Sequence, residues 1–230
     1  MNTPSISIVI PTLNEGENLA RILGACDTPE DVEIIVVDGG SIDGTPEVAH
    51  RSGIKLVISE PGRGIQMNVG AKVGKGEILL FLHGDTILPQ DYHGQIIRVL
   101  ERKGVVAGAF RLSIDGKSVS LRIIESVVNL RTRILQMPFG DQALFMRKLE
   151  FEQVGGFREI PIMEDFDLVR ALRKRGRIEI AEGSVLTSGR RWERLGPWRT
   201  TLMNQIAIWA HLLGIPPVTI AKFYHRKGEH

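Results

Sequence analysis

Three short polar clusters each follow a run of apolar, β-branched residues: Pro11-Thr-Leu-Asn-Glu15, Asp38-Gly-Gly-Ser-Ile-Asp-Gly-Thr45 and His83-Gly-Asp-Thr86. In an open α/β sheet, ligands bind at the carboxyl ends of the strands. Parallel strands would bring all three clusters to one edge, and that convergence says more than any one cluster. The first offers the Thr12 hydroxyl, the Asn14 amide and the Glu15 carboxylate, a set better suited to a base or ribose than to a pyrophosphate. Asp38, Ser41 and Asp43 have two readings. One is a glycine-rich turn capping a helix that opens near Pro46. The other is nucleotide binding, favoured once the neighbouring clusters are counted.

Arg63, Gln66 and Asn68 lie at the start of a helical stretch, where free N–H groups and the helix dipole attract anions. Arg63 is placed to steady a diphosphate and Asn68 to hydrogen-bond a ribose or sugar; a solvated helix start is the plainer alternative. Glu164-Asp165 opens another helix, where acids serve as caps or, in a cleft, as a general base. Arg190-Arg191 before Trp192 is either a guanidinium clamp for phosphate oxygens or a solvated basic loop. Gly62 and Gly64 begin a G-x-G-x-x-G pattern, but Met67 stands where the third glycine belongs. No G-x-x-x-x-G-K-[ST] occurs either, which excludes a classical dehydrogenase and a P-loop NTPase.

The elements that must position these groups are read from periodicity. Residues 5–10, 33–37, 55–58 and 78–82 are strand-like, and 17–26, 46–52 and 64–73 are helical between them. Pro89 opens a further helix toward Arg102. This β-α-β-α order implies a parallel, doubly wound sheet. Beyond Gly104, a strand at 109–114 carries Phe110, Leu112 and Ile114 on one face. A helix at 119–135 follows, with Ile123, Val127, Leu130 and Ile134 sharing a face. Short strands at 143–147 and 178–181 bracket a helix at 166–175, and an amphipathic helix runs from about 198 to 213. On that last helix Trp198, Leu202, Ile206 and Trp209 form one stripe, with Arg199, Lys222, Arg226 and Lys227 nearby. Core packing is the favoured reading of the stripe; a homodimer contact or weak contact with a membrane surface stays open.

The chain's 230 residues suffice for one sizeable core, and 43% hydrophobic with 24% charged residues exclude a disordered chain. A formal net charge of +2 is too small to demand a nucleic-acid partner. Cys26 is the single cysteine, so neither an intrachain disulfide nor a cysteine zinc site can form. The apolar run 6–10 is too short for a signal peptide, and 205–218 is broken by His211 and Pro216-Pro217. A cytoplasmic protein is expected.

Val-Ile-Pro-Thr-Leu-Asn-Glu at 9–15, Val-Val-Asp-Gly-Gly-Ser-Ile-Asp-Gly-Thr at 36–45 and Glu164-Asp165 resemble the family two glycosyltransferases with the GT-A fold. The resemblance covers nearly the whole chain. It implies an α/β domain with a Rossmann-like nucleotide-binding half, about 1–103, built on a mostly parallel central sheet. An acceptor-side half, about 104–230, would add strands and C-terminal helices. It also implies a nucleotide-sugar donor and a hydroxyl acceptor, with Asp38 reading the base and Pro11, Thr12 and Glu15 around it. His83-Gly84-Asp85 stands where that family carries Asp-x-Asp, which holds Mg²⁺ or Mn²⁺ on the donor diphosphate. Asp85 carries over as a metal ligand. His83 is a ligand, a neighbour of one, or a helix-cap residue, and imidazole suits Mn²⁺ better than Mg²⁺. Asp165 carries over as the base, supported by Glu164, in a direct displacement that inverts the anomeric centre. Gly140-Asp141-Gln142 is implied to line the acceptor pocket, with a structural turn as the alternative for Asp141. The segment 62–71, with 140–142 and 188–192, resembles a narrower bacterial subgroup associated with arsenosugar biosynthesis.

Two other classes compete. A nucleotidyltransferase would open with a glycine-rich basic loop instead of Pro-Thr-Leu-Asn-Glu. A non-catalytic nucleotide-sugar-binding module would have no need of Glu164-Asp165.

Overall fold

The computed structural model describes residues 5–226, so Lys227 lies outside it. The first half alternates strand and helix: β1 (Ile6–Thr12), α1 (Gly16–Ala25), β2 (Val32–Asp38), α2 (Thr45–Arg51), β3 (Lys55–Ile58), α3 (Arg63–Val73) and β4 (Ile78–Phe81). The strand period of two divides the apolar residues cleanly between the faces. Ile8, Ile10, Ile34, Val36 and Leu80 pack with Leu19 and Ile22 of α1 and Ala49 of α2. Val9, Ile35, Val37, Leu79 and Phe81 pack with Met67 and Ala71 of α3 on the opposite side. A sheet buried on both faces explains why these strands read as continuous apolar runs.

The chain continues through β5 (Thr86–Ile87), α4 (Tyr92–Leu100), β6 (Val105–Ile114), α5 (Val119–Leu135), a 3-10 turn (Gly140–Gln142), β7 (Phe145–Arg147), α6 (Lys148–Gln153) and α7 (Glu164–Arg173). It closes with β8 (Arg177–Thr187), α8 (Arg190–Leu195), α9 (Pro197–Leu212) and α10 (Pro217–Arg226). All eight strands join one sheet, in the order β3-β2-β1-β4-β7-β6-β8-β5. The pairs among β1 to β4 are parallel. The sheet as a whole is mixed, because β7 runs antiparallel to both β4 and β6, and β5 antiparallel to β8. The parallel strands place the ends of β1, β2 and β4 on one edge, as the three polar clusters required.

The two helical stripes both face outward. Ile123, Val127, Leu130 and Ile134 do share a face of α5, but it is the outer one, and the side chains are 46% to 67% exposed. The inner face carries Leu121 and Ile124 together with polar groups. The reason lies in β6, which pairs with β7 only at Ala107 and Gly108. Beyond that point one edge of β6 has no strand partner, and buried backbone groups must be satisfied. The Asn129 amide does this as a strand would, accepting from Leu112 N–H at 2.8 Å and donating to its carbonyl at 2.9 Å. Glu125 accepts from the Ile114 N–H, and Gln142 Nε2 donates to the Phe110 carbonyl at 3.0 Å. On α9 the favoured core reading of Trp198, Leu202, Ile206 and Trp209 is likewise wrong: all four are exposed, while Thr200, Met203 and Ala207 face inward.

Close contact of α3 with the sheet depends on Gly70, where an added Cβ would lie 2.2 Å from Val9 Cγ1. Gly70→Ala must push α3 outward or displace Val9 and Val37. The expected cost in urea denaturation is about 1–3 kcal/mol, with the equilibrium m-value unchanged.

Candidate active site

The loops after β1 and β2 are knitted together by the polar residues that marked them. Asp38 is buried, and its carboxylate accepts from Gly40 N–H (3.0 Å), Ser41 N–H (2.8 Å), the Ser41 hydroxyl and the Thr12 hydroxyl (3.2 Å). Asp43 accepts from Gly16 N–H at 3.1 Å and Thr45 N–H at 2.9 Å, tying the start of α1 to the start of α2. Asn14 Oδ1 accepts from Ile42 N–H, and the Ser41 hydroxyl accepts from Asn14 N–H. These side chains hold the shape of the sheet edge, leaving little capacity for a ligand.

Gln66 and Asn68 correct the expectation that they face a donor. Gln66 is buried and donates to the carbonyls of Thr12 and Val37, both at 2.8 Å. Asn68 pairs with the Phe157 backbone in both directions at 2.9 Å. Gln142 is buried on Phe110 and Thr132. Amides have the donor and the acceptor that unpaired backbone needs, and here they are spent on it.

A different subset meets in a pocket of about 850 Å³. Glu15, Arg63, His83, Asp85, Asp141, Glu164, Asp165, Arg190 and Arg191 all line it. Pro11, Thr12, Asn14, Asp38, Ser41 and Asp43 stand behind its rim on the tied loops. Pairing of Thr86 with Thr187 joins the Asp85 loop to the end of β8, and the Ser188 N–H donates to the Asp85 carbonyl at 3.1 Å. That contact delivers Arg190, whose guanidinium meets Glu15 at 3.2 Å. Arg63 Nε meets Glu164 Oε1 at 2.8 Å, with Glu164 only 2% exposed.

Asp165 is held from two sides. Its Oδ2 accepts from Gly140 N–H and its Oδ1 from Phe166 N–H, both at 2.7 Å. A Cβ on Gly140 would lie 2.6 Å from His83 Nε2 and 3.2 Å from Asp165 Oδ2, so Gly140 lets His83 and the carboxylate close on the same turn. Further wall residues, Tyr224, Asn204 and Phe139 among them, carry no motif in the sequence. Tyr224 of α10 lies under Arg191, whose guanidinium carbon is 4.1 Å from the ring centroid, and donates to Asn204 of α9 at 2.6 Å. Trp192 lines the pocket from α8, and Arg131 of α5 stacks on the lining residue Phe139 at 4.1 Å. Only Trp192 had a sequence signal, its place after two arginines.

Burial, reinforced by the Arg63 charge, drives His83 down to about 3, so its imidazole is neutral and has a lone pair to offer. Burial and the Glu15 charge raise Asp85, with Arg190 opposing. Burial raises Glu164 against the pull of Arg63. Burial and the charge of Asp165 push Asp141 up to about 6, with Arg131 opposing. Asp141 Oδ1, Glu164 Oε2 and Trp192 Nε1 are buried without a hydrogen-bond partner, and all three residues line the pocket. Orphaned polar atoms gathered in one cavity mark where a polar ligand completes the structure.

Among the described residues no group of three His, Cys, Asp or Glu side chains could enclose a metal ion. A dication that rides on a diphosphate does not need one, since one or two carboxylates, phosphate oxygens and water complete its shell. Asp85, a half-buried carboxylate beside Glu15, fits that role.

The raised Asp141 fixes a sign for pH dependence. Its unfolded carboxyl titrates near 4, so the folded state binds the extra proton between there and about 6. Ionisation therefore subtracts stability as pH rises through that window, and none is lost below it. In chelator, Asp141→Asn is expected to raise the melting temperature at about pH 7.5 and to leave it nearly unchanged at about pH 3.5. A parallel offset at both pH values would exclude a titrating Asp141.

Residues 7–157 match the family described as glycosyl transferase family 2. The glycosyltransferase AglE of Haloferax volcanii is 28% identical over 170 residues, covering 67% of this chain and 56% of that protein. A PGL/p-HBAD biosynthesis glycosyltransferase of Mycobacterium tuberculosis is 38% identical over 101 residues, 38% of each chain. The chain thus spans about half of AglE or less of these relatives. Among solved structures, the mannosyltransferase PcManGT of Pyrobaculum calidifontis, in complex with GDP-Man and Mn²⁺, aligns at a TM-score of 0.70 and 19% identity, covering 99% of this chain and 70% of that one. Glucosyl-3-phosphoglycerate synthase of M. tuberculosis, in complex with Mn²⁺, UDP and glucosyl-3-phosphoglycerate, aligns at 0.62 and 20%, covering 93% and 81%. These likenesses show a shared α/β GT-A fold, and the sequence match places the chain in the glycosyl transferase family 2.

Proposed function

We propose that the chain is an inverting glycosyltransferase that moves a sugar from a nucleoside diphosphate to an acceptor hydroxyl with the help of Mn²⁺ or Mg²⁺. The observation that carries this reading is the position of Asp165, a carboxylate gripped by two backbone N–H groups in the same pocket as Asp85 and the arginines. Arg190, Arg191 and Arg63 would bind diphosphate oxygens, for which guanidinium forks are well matched. Asp85 would hold the dication, with the neutral His83 imidazole beside the same loop; when bound, the ion would neutralise the leaving diphosphate. Asp165 would take the proton of the acceptor hydroxyl as its oxygen bonds to the anomeric carbon and the bond to phosphate breaks. Attack on the face opposite the leaving group inverts that carbon. Glu164, fixed by Arg63, would keep the first turn of α7 in place.

Relatives in this fold bind either GDP-Man or UDP-GlcNAc, so the base is read from binding tests and not from resemblance. Asp38 and its neighbours would serve the base chiefly through the backbone they shape. The arsenosugar-associated likeness of residues 62–71 points to no particular acceptor chemistry. Cys26 is free, in keeping with a reducing, cytoplasmic compartment.

Calorimetry with UDP and GDP in Mn²⁺ tests the donor half: Asp85→Ala is expected to weaken binding at least about tenfold, since it removes the dication's protein ligand. Asp165→Asn should bind with near-normal affinity while donor turnover falls roughly 10²–10⁴-fold. Wild-type turnover by Asp165→Asn would remove it as the base.

A further inference from the structure

The outer faces of α5 and α9 are apolar without a cover. Trp198 is 61% exposed, Leu202 60% and Trp209 64%, and on α5 Val127 and Leu130 are exposed to similar degrees. The two helices pack against each other, and each turns its apolar stripe outward. Exposed apolar surface of this kind marks an interaction site. Among the described residues no helix is long and apolar enough to cross a membrane, and the stripes suit lying on a surface.

Charge identifies that surface. Arg133 is exposed along the α5 stripe, and Arg199 and Lys222 are exposed near that of α9, while Arg122 is paired with Glu125 at 3.0 Å. Arg133, Arg199 and Lys222 make no ion pair with any described acid. The one acid of α5, Glu125, is turned inward onto β6. After Glu193 the next acidic residue in the sequence is Glu229. A second copy seated on this face would set basic residues against basic residues. A negatively charged headgroup layer satisfies them, while tryptophan is at home at the level of the headgroups.

We propose that the α5–α9 face docks the protein on the surface of an anionic phospholipid bilayer. The face is distinct from the pocket but adjoins it: α9 lines the pocket with Asn204 and Ile208 and turns Leu202, Ile206 and Trp209 outward. Docking would hold the pocket one helix away from the headgroups. This inference stands on the exposed face alone and does not depend on the proposed chemistry.

The test uses the full chain and vesicles of phosphatidylcholine, alone or with about 30% phosphatidylglycerol. Sedimentation with the anionic vesicles is expected, weakened by salt. Brominated lipids should quench Trp198 and Trp209, because Trp192 is buried. Leu202→Ser with Trp209→Ser, and separately Ile123→Ser with Ile134→Ser, should each lower partitioning roughly tenfold. Nucleoside diphosphate affinity and the melting temperature should hold in both variants. Equal binding to neutral vesicles, no binding to either, or a dimer that these variants dissociate would each overturn the proposal.

Discussion

The ion pair between Arg63 and Glu164 spans the molecule's main seam. It joins the first residue of α3, in the strand-helix half, to the first residue of α7, in the half that carries Asp165. Glu164 is all but sealed from solvent, so removing Arg63 would leave a buried carboxylate without its charge partner. Asp165 follows in the same helical turn. Its orientation is therefore set by the pair on one side and by the Gly140 N–H on the other. The second oxygen of Glu164 is buried without a hydrogen-bond partner, in a residue that lines the pocket.

Around that seam, polar side chains divide into two kinds of work. Asp38, Asp43, Asn14, Gln66, Asn68 and Gln142 satisfy backbone groups. Such networks are rigid because a half-satisfied buried group is costly. The second kind keeps unspent capacity: Asp85, Asp141, Glu164 and the arginines of β8–α8. Their burial shifts the carboxyls upward, which is the electrostatic signature of a site waiting for positive or hydrogen-bonding partners.

The edge of β6 shows how backbone demand reshapes a helix. A helix with a clean apolar stripe ordinarily turns it to the core. On α5 the backbone groups of Leu112 and Ile114 in β6 claim Asn129 and Glu125 first, and the stripe is left outside. The same demand engages Gln142, which donates to the Phe110 carbonyl.

The first half of the fold was legible in the sequence because its signals are local. Continuous β-branched runs, helices with 3.6-residue periodicity and polar clusters after β1, β2 and β4 define a parallel sheet edge without further information. Glu15, Arg63, Asp85, Asp165 and Arg190 were likewise visible as groups able to do chemistry. What the sequence could not decide was which polar residues face a ligand and which face the backbone. An amide at Gln66 and a carboxylate at Asp85 look equally available in one dimension. Only the tertiary structure shows that the carbonyls of Thr12 and Val37 lie over the first and a cavity beside the second. The outward turn of α5 and α9 was decided there too, because hydrophobic periodicity reports that a face exists and not what covers it.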